Sequence, residues 1–236
     1  MATLLEIVNN VLPEIGLSAL SSVVGNSNQT AVLALAQANR TGRSLAKKDW
    51  RILIKRADFD TVSSAESYNL PSDFTRFIHN TEWNEDTQTP LWGPISDEYW
   101  QADLSGLTVV TIEDRFQLRA DGNTSRIWIR PMPTSAETLT YFYASNGWCR
   151  SNGGARQSKF EEDTDVLLLD DFIFELQLKW RLLQAQKREW QVEFAEAERE
   201  TKTALARDGG MQTLRILGPS EEPDFTGHIP ETGFGS

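Results

Sequence analysis

The chain has 236 residues, 39% of them hydrophobic and 24% charged, with 23 basic against 34 acidic side chains and a formal charge of −11. A chain this long buries well over half of its unfolded surface, so it needs no disulfide or metal staple, and its single cysteine, Cys149, excludes an intramolecular disulfide framework. Val166–Leu169 is far too short an aliphatic run to span a membrane, and the opening MATLLEIVNN carries Glu6 in place of a basic region, against a secretory signal, so composition points to a soluble, acidic, globular protein.

Leu4, Ile7, Val8, Val11 and Leu12 recur at helical spacing, and Thr3 with Glu6 matches a capping box. Pro13 and Gly16 predict an early end to this helix. SSVVGNSNQT reads as a loop whose Asn28 caps the next element. From Gln29 to Ala57, the apolar positions Val32, Leu35, Ala36, Leu45, Ile52 and Leu53 predict a long helix with a break near Gly42. Along it, Arg40, Arg43, Lys47 and Arg51 fall near one stripe; with Lys48, Lys55 and Arg56 they form the one candidate basic face, which a solvated or interface helix explains better than DNA binding.

Between Phe59 and Tyr143 the pattern becomes short and β-rich. RFQLR, ADGNT and SRIWIR read as strand, turn and strand, with Phe116 and Leu118 on one face and Ile127 and Ile129 opposite Trp128. Leu139–Ala144 predicts a third strand, set off by Pro131 and Pro133, and NGWCRSNGGARQS reads as a flexible connection. Asp165 to Arg207 then predicts one amphipathic helix of about forty residues, roughly 60 Å long. Its stripe is Val166, Leu169, Ile173, Leu176, Trp180 and Leu183, interrupted at Lys187 and resumed at Trp190, Phe194, Ala197 and Ala204, with Asp163 or Thr164 as cap and Gly209 and Gly210 as stop. The tail carries Pro219, Pro223 and Pro230 and no amphipathic period, which predicts an extended arm.

Helices at both ends of the chain must bury their stripes on each other. The expected fold is therefore α+β. Residues 1–58 and 160–207 form an α-helical body, 59–159 a small antiparallel β-rich insertion, and 208–236 an extended C-terminal arm.

Sequence motifs for chemistry are sparse. Phosphate-binding glycine loops, HExxH and GxSxG are all missing from the sequence, and His79 and His228 lie far apart, which argues against a zinc site. Cys149 beside Trp148 and Arg150 reads as a structural thiol before it reads as a nucleophile. The pairs Glu85–Asp86, Asp97–Glu98 and Glu113–Asp114 invite a two-carboxylate glycosidase reading, but adjacent side chains point in different directions. The expectation is a protein that is not an enzyme and holds no cofactor or metal.

The segment Tyr68-Asn-Leu-Pro-Ser-Asp-Phe-Thr-Arg-Phe77 adds a resemblance. Physically, Leu70 before Pro71 is pushed to an extended conformation, Ser72 and Asp73 favour a turn, and Phe74 and Phe77 anchor its exit by burial. With the N-terminal helix pair, Trp83, Trp92 and Trp100, and the late helical segment, the pattern of Tyr68, Leu70, Pro71, Asp73 and Phe74 resembles head-to-tail connector proteins of tailed bacteriophages. More narrowly, it is similar to the adaptor, or tail tubular protein A, of short-tailed phages.

That resemblance implies a structural virion protein at the head–tail junction, assembled in the host cytoplasm. Such adaptors form a ring of self-copies, usually twelve, that joins the portal protein to the tail nozzle protein, sometimes with tail fibres nearby. They line the channel through which DNA leaves without specific binding. An acidic chain suits such a conduit, because attraction to phosphate would slow passage. The expected subunit interface is Trp190 and Phe194, with an extension of the core stripe as the alternative. The expected partner-binding set, toward the portal or a neighbouring subunit, is Met211, Leu214, Ile216, Leu217, Phe225, Ile229 and Phe234, with folding of residues 211–217 back onto their own body as the alternative. The alternatives are a tail-fibre adaptor or receptor- or glycan-binding tail module using the β region, and a carbohydrate-active enzyme.

Overall fold

A computed structural model describes residues 1–106, 114–121 and 124–209. The chain opens with α1 (Leu4–Glu14) and α2 (Gln29–Leu45), then enters strands β1 (Ile54–Asp60), β2 (Ser67–Asn69), β3 (Phe74–Phe77), β4 (Trp83–Asn84) and β5 (Thr89–Pro90). A short helix α3 (Asp97–Leu104) precedes β6 (Arg115–Asp121), β7 (Thr124–Arg130) and β8 (Thr138–Ser145). Short strands β9 (Cys149–Arg150), β10 (Arg156–Gln157) and β11 (Val166–Leu167) lead to α4 (Asp171–Ala185) and α5 (Gln191–Asp208). The fold is mixed α+β, with antiparallel strand pairing in each of its sheets.

Thr3 and Glu6 form the predicted capping box of α1, which ends at Glu14 beside Pro13 and is followed by Gly16 at φ +74°. Asn28 caps α2 by accepting from the Thr30 N–H at 2.9 Å. The predicted extension of α2 to Ala57 is corrected: the helix stops at Leu45, a single 3-10 turn covers Arg51–Leu53, and β1 begins at Ile54. Its buried face agrees with the predicted one only in part: Leu45 is buried and Leu35 packs against the core. Val32 and Ala36 face solvent, while Ala31, Ala34, Ala38, Thr41, Gly42 and Leu45 are buried. Small side chains let another element approach this helix closely, and Trp148 does so at Gly42.

The single forty-residue helix is corrected as well. Val166–Leu167 is strand, and Asp170, not Asp163 or Thr164, caps α4 by accepting from Ile173 N–H at 3.0 Å. Asp163 instead accepts from the N–H groups of Val23 and Val24, tying the loop after α1 to the segment before α4. At Lys187 the backbone turns left-handed (φ 58°), which breaks the helix where the apolar stripe is interrupted. α5 therefore folds back beside α4 instead of prolonging it, and Gln177 on α4 donates to Glu198 and Thr201 on α5, at 3.1 Å each.

Two apolar clusters result. One joins α1, α2, α4 and the 148–169 segment, with Trp148, Cys149 and Phe160 buried at its centre. NGWCRSNGGARQS is thus not merely a flexible connection: it contains β9, β10 and a fully buried tryptophan. The other cluster is made by Leu70, Phe77, Leu91, Phe116, Ile127, Ile129, Leu139, Tyr141 and Tyr143. β8 is its spine, with β1 along one edge and β3 and β4 sharing the other. β6 and β7 form the predicted hairpin, with Ile127 and Ile129 buried, and β2 joins it on β7. Leu118, expected on the buried face with Phe116, is exposed, and Gln117 is buried instead.

Candidate functional site

The predicted motif folds into a polar joint. Just before Pro71, Leu70 N–H donates to the Ser125 carbonyl at 3.3 Å, and Phe74 N–H closes the turn on the Pro71 carbonyl at 2.9 Å. That turn presents the Asp73 carboxylate to three donors: Lys55 Nζ at 2.8 Å, Tyr143 Oη at 2.9 Å and Ser145 Oγ at 2.7 Å. The Asp73 carbonyl accepts from Asn146 N–H at 2.9 Å, so one residue fastens the start of β1, the end of β8 and the strand exit. Phe74 stacks on Tyr143 with centroids 5.8 Å apart and meets Phe77 edge-on at 4.8 Å. Tyr68 leans on Phe59, its hydroxyl accepting from Val62 N–H and donating to the Ala65 carbonyl.

Burial would raise the Asp73 carboxyl, but the bonds from Lys55, Ser145 and Tyr143 outweigh it and hold the group below its ordinary range. The same bond raises Lys55, while burial first of all raises Tyr143. Depressed in the fold, Asp73 contributes stability above the ordinary carboxyl value of about 3.9 and loses it as pH falls through its lower folded value. Lys55, raised, contributes below about 10.4 and loses it as pH rises through its higher folded value. Asp73→Asn is expected to cost about 1–3 kcal/mol at neutral pH, with the deficit shrinking below about pH 4. Denaturant midpoints across pH check this, and a pH-independent deficit would contradict it.

The other predicted residues fall in different places. Trp190 and Phe194 pack on Trp180 of α4 within the same chain, with centroids 5.7 and 5.1 Å from its ring. Trp180 is only 8% exposed and donates from Nε1 to Gln177 Oε1 at 2.8 Å. Within the trio Phe194 remains 37% exposed, while Val192, about 200° round the helix from it, is 78% exposed. Met211, Leu214, Ile216, Leu217, Phe225, Ile229 and Phe234 lie outside the described residues.

The basic stripe does not survive folding as one face. Arg51 sits past the end of α2 and donates from its N–H to Asp208 and from its guanidinium to the Gly209 carbonyl, and Lys48 lies 3.8 Å from Glu198. Lys55 belongs to Asp73, and Arg56 pairs with Glu85 and Asp58. Of the acidic pairs, Asp86 accepts from Thr138 N–H, Glu85 pairs with Arg56, Asp97 accepts from Gln117 and Asp114 from Asn84, while Glu113 lies outside the described residues. Among the described residues, no cluster of three or more His, Cys, Asp or Glu side chains could hold a metal ion, and no helix is long and apolar enough to cross a membrane. Cys149 is buried, its thiol bonded to backbone carbonyls and pushed up to about 12 by burial and then by Asp165.

The sequence singled out Asp73 but not its donors. The only available signal was alternation, which puts Tyr141, Tyr143 and Ser145 on one face of β8.

The motif thus builds a polar joint that fastens β1, β3 and β8, and Asp86 and Asp97 take part in internal hydrogen bonds. The model of one family, described as SU10 adaptor protein, matches residues 2–219, and the chain belongs to that family. It is a family of structural adaptors of bacteriophages, which makes the chain a phage virion component that associates with other virion parts. No curated protein matches the chain.

Proposed function

We propose that this adaptor forms a ring, of twelve copies by the connector resemblance, beneath the portal. It joins the portal to the tail nozzle and lines the channel through which DNA leaves the virion. The observation that carries the reading is the family match over residues 2–219. Three features support it. The net charge of −11 disfavours retention of passing DNA. The exposed part of Phe194 on α5, beside Trp190, offers a neighbouring subunit an apolar surface rimmed by Glu189, Glu193 and Glu196. The two apolar clusters suit a helical body for ring contacts carrying a β insertion, with the changeovers near Ile54 and Ser145.

Met211, Leu214, Ile216, Leu217, Phe225, Ile229 and Phe234 then serve as the anchors of an arm that reaches the portal or the next subunit, with strand addition as one mode. Mixing the purified chain with portal and imaging by negative stain tests the reading. Rings seated on the portal are expected; a stable trimer that binds a glycan would replace the connector with a tail-binding module. Truncation after Arg207 should weaken portal attachment at least about tenfold, or about 1.4 kcal/mol, with the circular dichroism of the body retained. Unchanged affinity in a folded truncation would remove the arm from the attachment.

A further inference from the structure

An open groove of about 580 Å³ lies where the described chain ends, lined by Trp50, Ile52, Leu168, Leu169, Ala204 and Asp208. It is bounded by the turn after α2, the loop between β11 and α4, and the last turn of α5. Ile52 is 38% exposed although it sits beside buried Trp50 and Leu53, so the floor of the groove presents apolar surface to water. The chain leaves from its rim. Arg51 N–H donates to the Asp208 carboxylate at 2.6 Å and the Arg51 guanidinium to the Gly209 carbonyl at 3.4 Å, which fixes the exit beside Ile52.

The next residues are the apolar set Met211, Leu214, Ile216 and Leu217, closed off by Gly218 and Pro219. Nine residues from Asp208 to Leu217 reach about 30 Å when extended, so the tether is ample. Charge agrees. Arg215 is the only lysine or arginine after Arg207, and it sits inside this apolar set, while Asp170, Asp171 and Asp208 stand on the rim. Arg207 and the Met1 terminus also line the groove, the Met1 amine already paired with Asp171 at 3.1 Å.

We propose that in the free subunit residues 211–217 of the same chain occupy this groove. The arm is then stored against its own body, and a virion partner has to displace it. The second half of this statement rests on the adaptor reading; the docking itself does not.

The test is made on the free subunit, so its failure leaves portal binding untouched. Ile52→Cys with Leu214→Cys is treated with a short bis-maleimide in dilute full-length protein, where buried Cys149 stays silent. A crosslink within one chain is expected, forming at least about tenfold more slowly when Ile216→Asp and Leu217→Asp are added, because the tether alone supplies only a baseline effective concentration. Equal rates in the two backgrounds, or crosslinks only between chains, would overturn the docking. A second measurement avoids the cysteines. In full-length Ile216→Asp, Leu217→Asp protein, amide exchange should quicken at residues 51–53 and 168–170, and unchanged exchange there would overturn it equally.

Discussion

Trp180→Ala is expected to destabilise the chain by about 3–5 kcal/mol, read as a lower midpoint in chemical denaturation. The indole is nearly buried and forms the hub of three ring contacts, with Trp190 at 5.7 Å, Phe194 at 5.1 Å and the Arg181 guanidinium 4.4 Å above it. Removing it deprives α5 of much of what it folds back onto. It also leaves Gln177 Oε1 without its donor, in a site where the amide already bonds Glu198 and Thr201. Trp180→Phe should recover most of the loss, because the ring packing survives and only the N–H is missing. A loss under about 1 kcal/mol for the alanine variant would mean that the α4–α5 pair is held elsewhere.

Gly42→Ala is the second large effect. A Cβ at Gly42 would lie 2.3 Å from Trp148 Cζ2, inside any permitted contact. The indole has no freedom to retreat: its Nε1 donates to the Ser158 carbonyl at 2.9 Å, and its ring is wedged between Phe160 at 4.8 Å and Phe174 at 6.0 Å. One added methyl is expected to cost about 1–3 kcal/mol or more through overpacking, although alanine is the better helix former by about 1 kcal/mol. Thermal or denaturant unfolding decides the sign. A stabilised Gly42→Ala would show that propensity outweighs the clash.

Local chemistry made part of this fold legible. The Thr3–Glu6 box, the Asn28 cap and the β6–β7 hairpin depend on residues a few positions apart, and each forms where the spacing places it. The features that stayed hidden depend on distant partners. Arg56, Asp58 and Asp60 alternate with Ala57 and Phe59, a short strand signal outweighed by the helical run before it. Pairing with β8, about eighty residues on, settles the segment as a strand and not a continuation of α2. The stripe from Ile173 to Ala204 keeps helical period straight across the turn at Lys187, because both arms of a helical hairpin bury the same kind of face. The candidate joint was half visible: Asp73 stood in a recognisable turn, while Lys55, Tyr143 and Ser145 converge on it from strands whose pairing no local pattern specifies.

Ile54 and Ala144 are register partners at the head of the β1–β8 pair. The chain therefore leaves the helices and returns to them at neighbouring points, with roughly ninety residues hung between. Added length at the far loops of this stretch therefore leaves the spacing of the helical connections unchanged, because its two ends are already paired. Asp73, itself inside this stretch, bonds Lys55 at its start and Ser145 just past its end, and so holds the two ends together.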